Sequence, residues 1–347
     1  MDRRAFCAGA AALAAASSLP AWATSPALNR VDMHSHWGIS ARGGSGALDV
    51  VGLREAMTEA GLLLAAINIV ADYPQFRRGH TGTEVVEYAS PGSLRGYFDE
   101  MAEYVLKRAR KDDLIVVGAR HDLKSVLDGR KPGIVLAVEG ADFLEGKLEP
   151  LKAARTLGVS HLQLVHYRLM EVGDICNLPP RYNGLSDFGK DVVRECNRLG
   201  MLVDVAHCSS AGILHALEIS TQPLIYSHGW VSDTPPDHAR RTARAIHAPL
   251  AKTIAAKGGV IGAFPMRQRT PEAFAAYLFK LVEALGVSHV GIGTDHGGLP
   301  RSALSGCRDL PAVAAELSRL GLKDAEIGAV MGGNYLRILQ QAMSAGA

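Results

Sequence analysis

The sequence lacks the features that mark several large classes of protein. Its 37 basic and 35 acidic residues leave a net charge of only +2, so charge gives no reason to expect nucleic acid or an acidic membrane surface as a partner. Beyond the N-terminal segment, no apolar run is long enough to span a bilayer. The glycine-rich patterns GxGxxG and GxxxxGKS/T do not occur in the right setting, which argues against nucleotide-binding folds.

Cysteine is also scarce. One of the five cysteines, Cys7, lies in the N-terminal segment, and the other four show no CxxC spacing. Neither a zinc ribbon nor a dithiol redox motif is therefore indicated. The sequence leaves open whether any of the four form disulfides.

The N-terminal segment resembles a twin-arginine export signal. Arg3 and Arg4 precede an alanine-rich apolar run, and Pro20-Ala21-Trp22-Ala23 ends in a small-x-small pattern. The apolar run, at ~14 residues, is short for a membrane anchor. We predict a signal peptide over residues 1–23, a mature domain over 24–347, and export to the periplasm or out of the cell.

Short apolar runs alternate with segments of helical periodicity along the mature chain. Near-continuous apolar runs are typical of parallel strands that are buried on both faces. Eight such repeats predict an α/β fold, a single-domain (β/α)8 barrel of the TIM type, with a doubly wound open sheet as the alternative. The predicted strands are 30–36, 62–70, 133–138, 161–166, 201–207, 223–228, 258–264 and 289–294, and examples of the helices are 95–110, 186–199, 209–218, 271–285 and 310–319.

Two long interruptions, 71–98 and 229–247, follow the second and sixth predicted strands. Loops of this length inside a compact domain are usually functional or disordered. In a barrel they would lie at the mouth, where substrate enters.

The first predicted strand ends in Val31-Asp32-Met33-His34-Ser35-His36. Because side chains alternate along a strand, His34 and His36 point the same way. Two imidazoles at one strand end provide half of a metal site.

Six of the eight predicted strands end in residue types that bind metals, and the C-terminal ends of barrel strands form the active site. Imidazole and carboxylate without clustered thiolates suit zinc best, with manganese, iron and cobalt as alternatives. The set is too large for one ion with an open position, and it fits two ions bridged by Glu139 at roughly 3.5–4 Å. The residues are His34, His36, Glu139, His166, His207, His228 and Asp295. Asp204, which precedes His207, is interpreted as a carboxylate that orients a ligand histidine.

The order of these motifs resembles the membrane (renal-type) dipeptidase family of zinc metallopeptidases, which have amidohydrolase-type barrels. The motifs are HxH, VEG, LVHY, DVAH, YSHG and GIGTD, followed by Gly332-Gly333-Asn334-Tyr335-Leu336-Arg337. They extend from residue 30 to about 340.

The resemblance implies a role for each residue. His34 and His36 would bind one zinc ion, His207 and His228 the second, and Glu139 would bridge both. His166 would contact the substrate and polarise the scissile carbonyl. Asp295 would exchange protons with a hydroxide shared by the two ions and deliver one to the leaving amine.

A family arginine after the SH motif would hold the substrate carboxylate, since guanidinium binds carboxylates in bidentate fashion. Counting back from Gly258-Gly259 favours Arg244. The local pattern around Asp237-His238 leaves Arg240 and Arg241 open.

The chain departs from the family pattern at two positions. His36 stands where the family usually has aspartate, and Gly297 stands where a second aspartate follows Asp295. The first change keeps a ligand type but removes a negative charge, so the expectation is weaker binding of that ion or a lower pKa for its water.

The sequence thus predicts an exported binuclear zinc dipeptidase that acts on small-molecule substrates. Two alternatives stay open: a related hydrolase of N-acyl amino acids or lactams, and a non-catalytic metal-binding barrel. Some relatives form homodimers, but no feature of the sequence marks a dimer surface.

Overall fold

Parallel strands form the centre of the fold, as the apolar runs predict. The structure is a computed structural model and describes residues 30–36, 52–79, 82–85, 90–129, 131–235, 244–299 and 301–346. The predicted signal peptide, residues 1–23, lies outside the described residues. None of the described helices combines the length and apolar content needed to cross a bilayer.

Eight of the strands make the barrel, and the others are short additions beside it. The predicted strand positions agree with the observed ones to within a few residues. The strands are β1 (Arg30–Ser35), β2 (Leu62–Val70), β3 (Phe76–Gly79), β4 (Gly82–Val85), β5 (Ile115–Val116), β6 (Gly133–Glu139), β7 (Val159–Gln163), β8 (Leu202–Asp204), β9 (Ile225–Ser232), β10 (Ala245–His247), β11 (Val260–Ala263) and β12 (Val290–Ile292).

The barrel strands follow the order β1, β2, β6, β7, β8, β9, β11, β12, and every pair that shares a ladder is parallel. The residues after β12 return to β1 and close the ring. The amide of Asp295 donates to the carbonyl of His34 at 2.9 Å, and the amide of His36 donates to the carbonyl of His296 at 2.7 Å. The predicted single-domain barrel is confirmed, and the doubly wound alternative is wrong.

Helices pack around the outside of the strands. Their ends carry ordinary signals: Ser186 and Thr270 accept backbone N–H groups at two helix starts, and Gly200 ends a helix in the left-handed conformation. The helices are α1 (Leu53–Ala60), α2 (Ser93–Lys111), α3 (Arg120–Leu127), α4 (Glu149–Thr156), α5 (Asp187–Leu199), α6 (Ser210–Ile219), α7 (Ala248–Ala256), α8 (Pro271–Leu285), α9 (Leu310–Arg319), α10 (Asp324–Gly328) and α11 (Asn334–Ala345).

The motif Gly332–Arg337 joins the last helix to the barrel strands. The Asn334 side chain donates to the carbonyls of Val287 and Val290 at 2.7 and 2.8 Å. Tyr335 is buried, and its hydroxyl lies 3.2 Å from Nδ1 of His161. These contacts fix α11 against the strands.

A β-bulge on β1 turns two successive side chains, those of Met33 and His34, toward the barrel interior. Three residue steps on β1, from Asp32 to Ser35, match two on β2, from Ala65 to Ile67. Met33 packs with the interior apolar cluster, while His34 reaches the carboxylate of Glu139. Strict alternation would separate these neighbours, and bulges are known to redirect side chains beside active sites.

The two predicted mouth segments contain regular structure. The first, 71–98, contains a 3-10 helix, the β3–β4 hairpin and the start of α2. The second begins inside β9, which continues to Ser232, and ends in β10, which pairs with β9. The first segment follows β2, and the second begins within β9; residues 80–81, 86–89 and 236–243 are not among those described.

The barrel interior leaves no room for a methyl group at Gly262. A Cβ atom there would lie 1.7 Å from the carbonyl oxygen of Ser227 and 3.1 Å from the sulfur of Met33. We expect Gly262→Ala to lower the free energy of unfolding by about 1–3 kcal/mol, because backbone and core must shift. Urea unfolding of the metal-free protein, followed by circular dichroism, measures this.

Gly96→Ala is the matched control for that substitution. Gly96 lies inside α2, and a Cβ atom there has no neighbour within 4 Å. Alanine favours a helix interior over glycine by roughly 0.5–1 kcal/mol, so this variant should be slightly more stable. Equal stability of Gly262→Ala and the wild type would contradict the packing described above.

Candidate metal centre

Seven predicted site residues meet at the C-terminal mouth of the barrel. His34 and His36 come from the end of β1, Glu139 is the last residue of β6, and His228 lies within β9. The remaining three, His166, His207 and Asp295, each lie three residues beyond a barrel strand, β7, β8 and β12 respectively. Parallel strands therefore bring together residues that are up to 261 positions apart in the sequence.

Glu139 is at the centre of the cluster. Its Oε1 lies 3.2 Å from Nε2 of His207 and 3.5 Å from Nε2 of His166. The same oxygen lies 3.6 Å from Nε2 of both His34 and His228. One oxygen of a single buried carboxylate thus faces four imidazoles.

The other side of the cluster is formed by His36 and Asp295. Nε2 of His36 lies 3.4 Å from Oε2 of Glu139 and 3.0 Å from Oδ1 of Asp295. Nδ1 of His36 is 2.8 Å from the carbonyl oxygen of Asn68, which directs Nε2 toward the two carboxylates. Asp295 is 14% exposed and the histidine 1%, so the aspartate is the one that solvent and substrate can reach.

The donor set fits metal ions. Nε2 of His34 is buried and has no hydrogen-bond partner among the described residues. Converging imidazole nitrogens and carboxylate oxygens are zinc-type ligands. Three overlapping groups each have their ligand atoms within 4.8 Å of one another: His34, His36 and Asp295; His34, Glu139 and His228; and Glu139, His166 and His207.

The electrostatics of two histidines and of Glu139 also favour metal binding. Burial, together with the positive charge of Arg244, lowers the pKa of His207 well below its usual value. Burial likewise lowers the pKa of His228, with further effects from His34 and Arg244. Neutral imidazoles are the form that binds metals. Burial alone would raise the pKa of Glu139, but His166 and His34 outweigh it and hold the pKa well below the usual value.

Backbone conformation helps to orient two of the site side chains. His207 and Asp295 have φ angles of 67° and 49°, in the left-handed region. This conformation costs a non-glycine residue roughly 1–2 kcal/mol, and such strain persists where the surroundings impose it. Both residues sit at strand ends, where the chain turns sharply into the following loop.

Asp204 supports the ligands through the backbone. Its Oδ1 accepts from the amides of Ala206 and Ser227, at 2.9 and 3.0 Å, and these residues directly precede His207 and His228. Its Oδ2 lies 3.3 Å from Nε2 of His161. Asp204 thus holds the backbone that directly precedes two metal-type ligands.

Sequence reasoning missed Asp72, which is buried two residues beyond β2. Its Oδ1 lies 2.7 Å from Nδ1 of His166. Although burial opposes the charge on His166, Asp72 and Glu139 outweigh it and raise the pKa of His166 to about 9. The rule that located the other residues, a polar side chain after a barrel strand, would have found Asp72 too.

Arg244 lies beside the cluster. Its Nη1 is buried without a hydrogen-bond partner among the described residues, and its carbonyl accepts from the hydroxyl of Tyr226 at 3.2 Å. Its charge acts on His166, His207 and His228. The other two candidates, Arg240 and Arg241, are outside the described residues.

The two departures from the family pattern lie against each other. A Cβ atom at Gly297 would be 3.1 Å from Cβ of His36, and φ at Gly297 is +91°. A Cβ atom at Gly298 would be 2.3 Å from Oδ1 of Asp295 and 3.1 Å from Cδ2 of His36. The two glycines leave the space that His36 and Asp295 occupy.

The barrel and the cluster at its mouth are those of a metal-dependent hydrolase. Residues 71–347 match the family described as "Membrane dipeptidase (Peptidase family M19)". The chain belongs to the membrane dipeptidase family and is a metallopeptidase-class enzyme. The matched residues begin after His34 and His36.

Individual relatives are more distant. Dipeptidase tcpJ of Claviceps purpurea is 27% identical over 231 residues, which cover 63% of this chain. The matched region spans 53% of tcpJ, about half its length. The fold is similar to the crystal structure of dipeptidase AC, a metallopeptidase of family M19, with a TM-score of 0.76, 19% identity, and coverage of 92% of this chain and 100% of that one.

A metallopeptidase from Rhodobacter sphaeroides, solved with a phosphinate mimic of the dipeptide L-Ala-D-Ala, is also similar in fold. Its TM-score is 0.72 at 19% identity, with 91% of this chain and 99% of that chain covered.

Proposed function

We propose that this protein is a zinc-dependent dipeptidase that hydrolyses the amide bond of dipeptides with a free C-terminal carboxylate. The observation that carries the proposal is the buried carboxylate of Glu139, faced by five imidazoles at 3.2–3.6 Å in a member of the dipeptidase family. The mimic of L-Ala-D-Ala in the Rhodobacter sphaeroides structure supports the same substrate class.

Five residues would hold two zinc ions. His34 and His36 would bind one, His207 and His228 the other, and Glu139 would contact both. Bound zinc would acidify water to make a nucleophile and would polarise the substrate carbonyl. The overlap of the ligand groups at His34 and Glu139 supports a site in which two ions share one carboxylate.

Asp295 would move the proton. Its carboxylate is the most accessible of the cluster's acids, and its Oδ1 faces His34 at 3.9 Å and His36 at 3.0 Å. A carboxylate in this position can accept a proton from the attacking water and return it to the leaving amine.

His166 and Arg244 would bind the substrate. Nε2 of His166 faces the cluster at 3.5 Å from Glu139, so it can donate to the scissile carbonyl oxygen as negative charge develops there. The free Nη1 of Arg244 is suited to the substrate carboxylate.

Removal of metal should abolish hydrolysis. We expect a chelator to stop the release of amino acids from L-Ala-D-Ala and from L,L-dipeptides, and added Zn²⁺ to restore it, because the cluster alone cannot generate the nucleophile. Unchanged rates in chelator would contradict the proposal. N-acyl amino acids and lactams complete the substrate panel, and faster hydrolysis of either would favour the alternative hydrolase.

His36→Ala should reduce the metal content. The purified wild type should hold near two zinc ions per chain, and the variant near one, since a ligand of the first ion is lost. Inductively coupled plasma mass spectrometry measures both. His289, whose Nδ1 lies 2.9 Å from the Gly259 carbonyl near the start of β12, is the matched control: His289→Ala should keep two ions. Equal metal content in wild type and His36→Ala would exclude His36 as a ligand.

Arg244→Ala should act on KM. Loss of a charge-assisted hydrogen bond costs roughly 1.5–3 kcal/mol, so KM for a dipeptide should rise by about one to two orders of magnitude. A dipeptide amide, which has no carboxylate, should be hydrolysed equally poorly by wild type and variant. The same KM for the dipeptide in both proteins would assign carboxylate binding elsewhere, with Arg240 and Arg241 next to be tested.

We also propose that the protein is exported and loses residues 1–23. The paired arginines, the apolar run and the small-x-small pattern support this proposal. Mass spectrometry of the protein recovered from the periplasm or medium should show an N-terminus at Thr24. Recovery of the intact chain from the cytoplasm alone would contradict it.

A further inference from the structure

Asp72 connects the end of β2 to the loop after β7. Its side chain is fully buried, and both oxygens accept N–H groups from that loop. Oδ1 lies 2.7 Å from Nδ1 of His166, and Oδ2 accepts from the amides of Tyr167 and Arg168 at 3.1 and 3.2 Å. Three consecutive residues are thus held by one carboxylate.

This arrangement fixes the His166 ring. A carboxylate that faces Nδ1 requires a proton on that nitrogen, and it prevents the ring from turning over. The opposite nitrogen, Nε2, then faces Oε1 of Glu139 at 3.5 Å. The carboxylate–histidine pair is a common device for orienting an imidazole at a reaction centre.

The geometry points to Asp72 as a positioning residue for hydrolysis, which holds Nε2 of His166 where the oxyanion of the substrate develops. This inference rests on the proposed function. Asp72 itself lies behind His166 relative to the cluster, so it acts through the histidine and does not touch the reacting atoms.

A neighbouring buried acid provides the comparison. Asp142 is also fully buried, and it accepts from the Arg168 guanidinium at 3.2 Å. Asp142 therefore shares the surroundings of Asp72, but its hydrogen bond goes to the next side chain along the loop. Substitution of Asp142 tests whether any change in this acidic pair is enough to impair the enzyme.

The experiment compares Asp72→Asn and Asp142→Asn in the full-length, metal-loaded protein. Asp72→Asn should lower kcat on L-Ala-D-Ala by about 10–100-fold, the usual effect of losing such a partner. KM and zinc content should change little, and the phosphinate mimic should inhibit correspondingly less. Asp142→Asn should keep kcat within about threefold of the wild type. An Asp72→Asn kcat within twofold of the wild type, or equal losses in both variants, would overturn the inference.

A double-mutant cycle separates positioning from general loss of structure. If Asp72 acts through His166, Asp72→Asn should cost nothing further in a His166→Gln background. A full additional loss there would overturn the inference. If Asp72→Asn fails to fold, ¹⁵N NMR of the wild type provides the test. It should show a proton on Nδ1 of His166, and an unprotonated Nδ1 would overturn the inference.

Failure of the proposed function would be recognised separately. If the wild type hydrolyses no dipeptide, the proposed dipeptidase activity is refuted. The orientation of the His166 ring can still be compared between crystal structures of the wild type and Asp72→Asn. A turned or displaced ring in the variant supports positioning by Asp72, and an unchanged ring refutes it.

Discussion

The structure depends on the burial of one carboxylate. Removing Glu139 from water carries a large free-energy penalty unless positive or polar groups compensate, and the barrel supplies five imidazoles at 3.2–3.6 Å. Those imidazoles are themselves buried, which depresses the pKa of His207 and His228. Divalent cations would offset the charge of the buried carboxylate, so folding prepares the site for metal.

Several local irregularities serve this one requirement. The bulge on β1 turns His34 to the interior beside Met33. The left-handed backbone conformation of His207 and Asp295, just beyond two strand ends, orients these two side chains. Glycines at 297 and 298 leave room for His36 and Asp295. Each departs from regular strand geometry, and each lies near the mouth of the barrel.

The sequence could predict the barrel and most of the cluster because both depend on local pattern. Runs such as Leu62–Val70 are apolar throughout, as buried parallel strands must be, and the barrel rule then locates polar residues at strand ends. Two features needed coordinates. The bulge depends on the register of two strands, and the Asp72–His166 pair joins residues 94 positions apart.

The closure of the barrel has a consequence for the order of biosynthesis. His34 and His36 leave the ribosome first, but Asp295 and the backbone bonds that join it to β1 come only after about 260 further residues. The complete site, with Asp295 in place, therefore forms only after about 295 residues have been made. The five proposed metal ligands end at His228, so a nascent chain contains all of them before the barrel that holds them has closed.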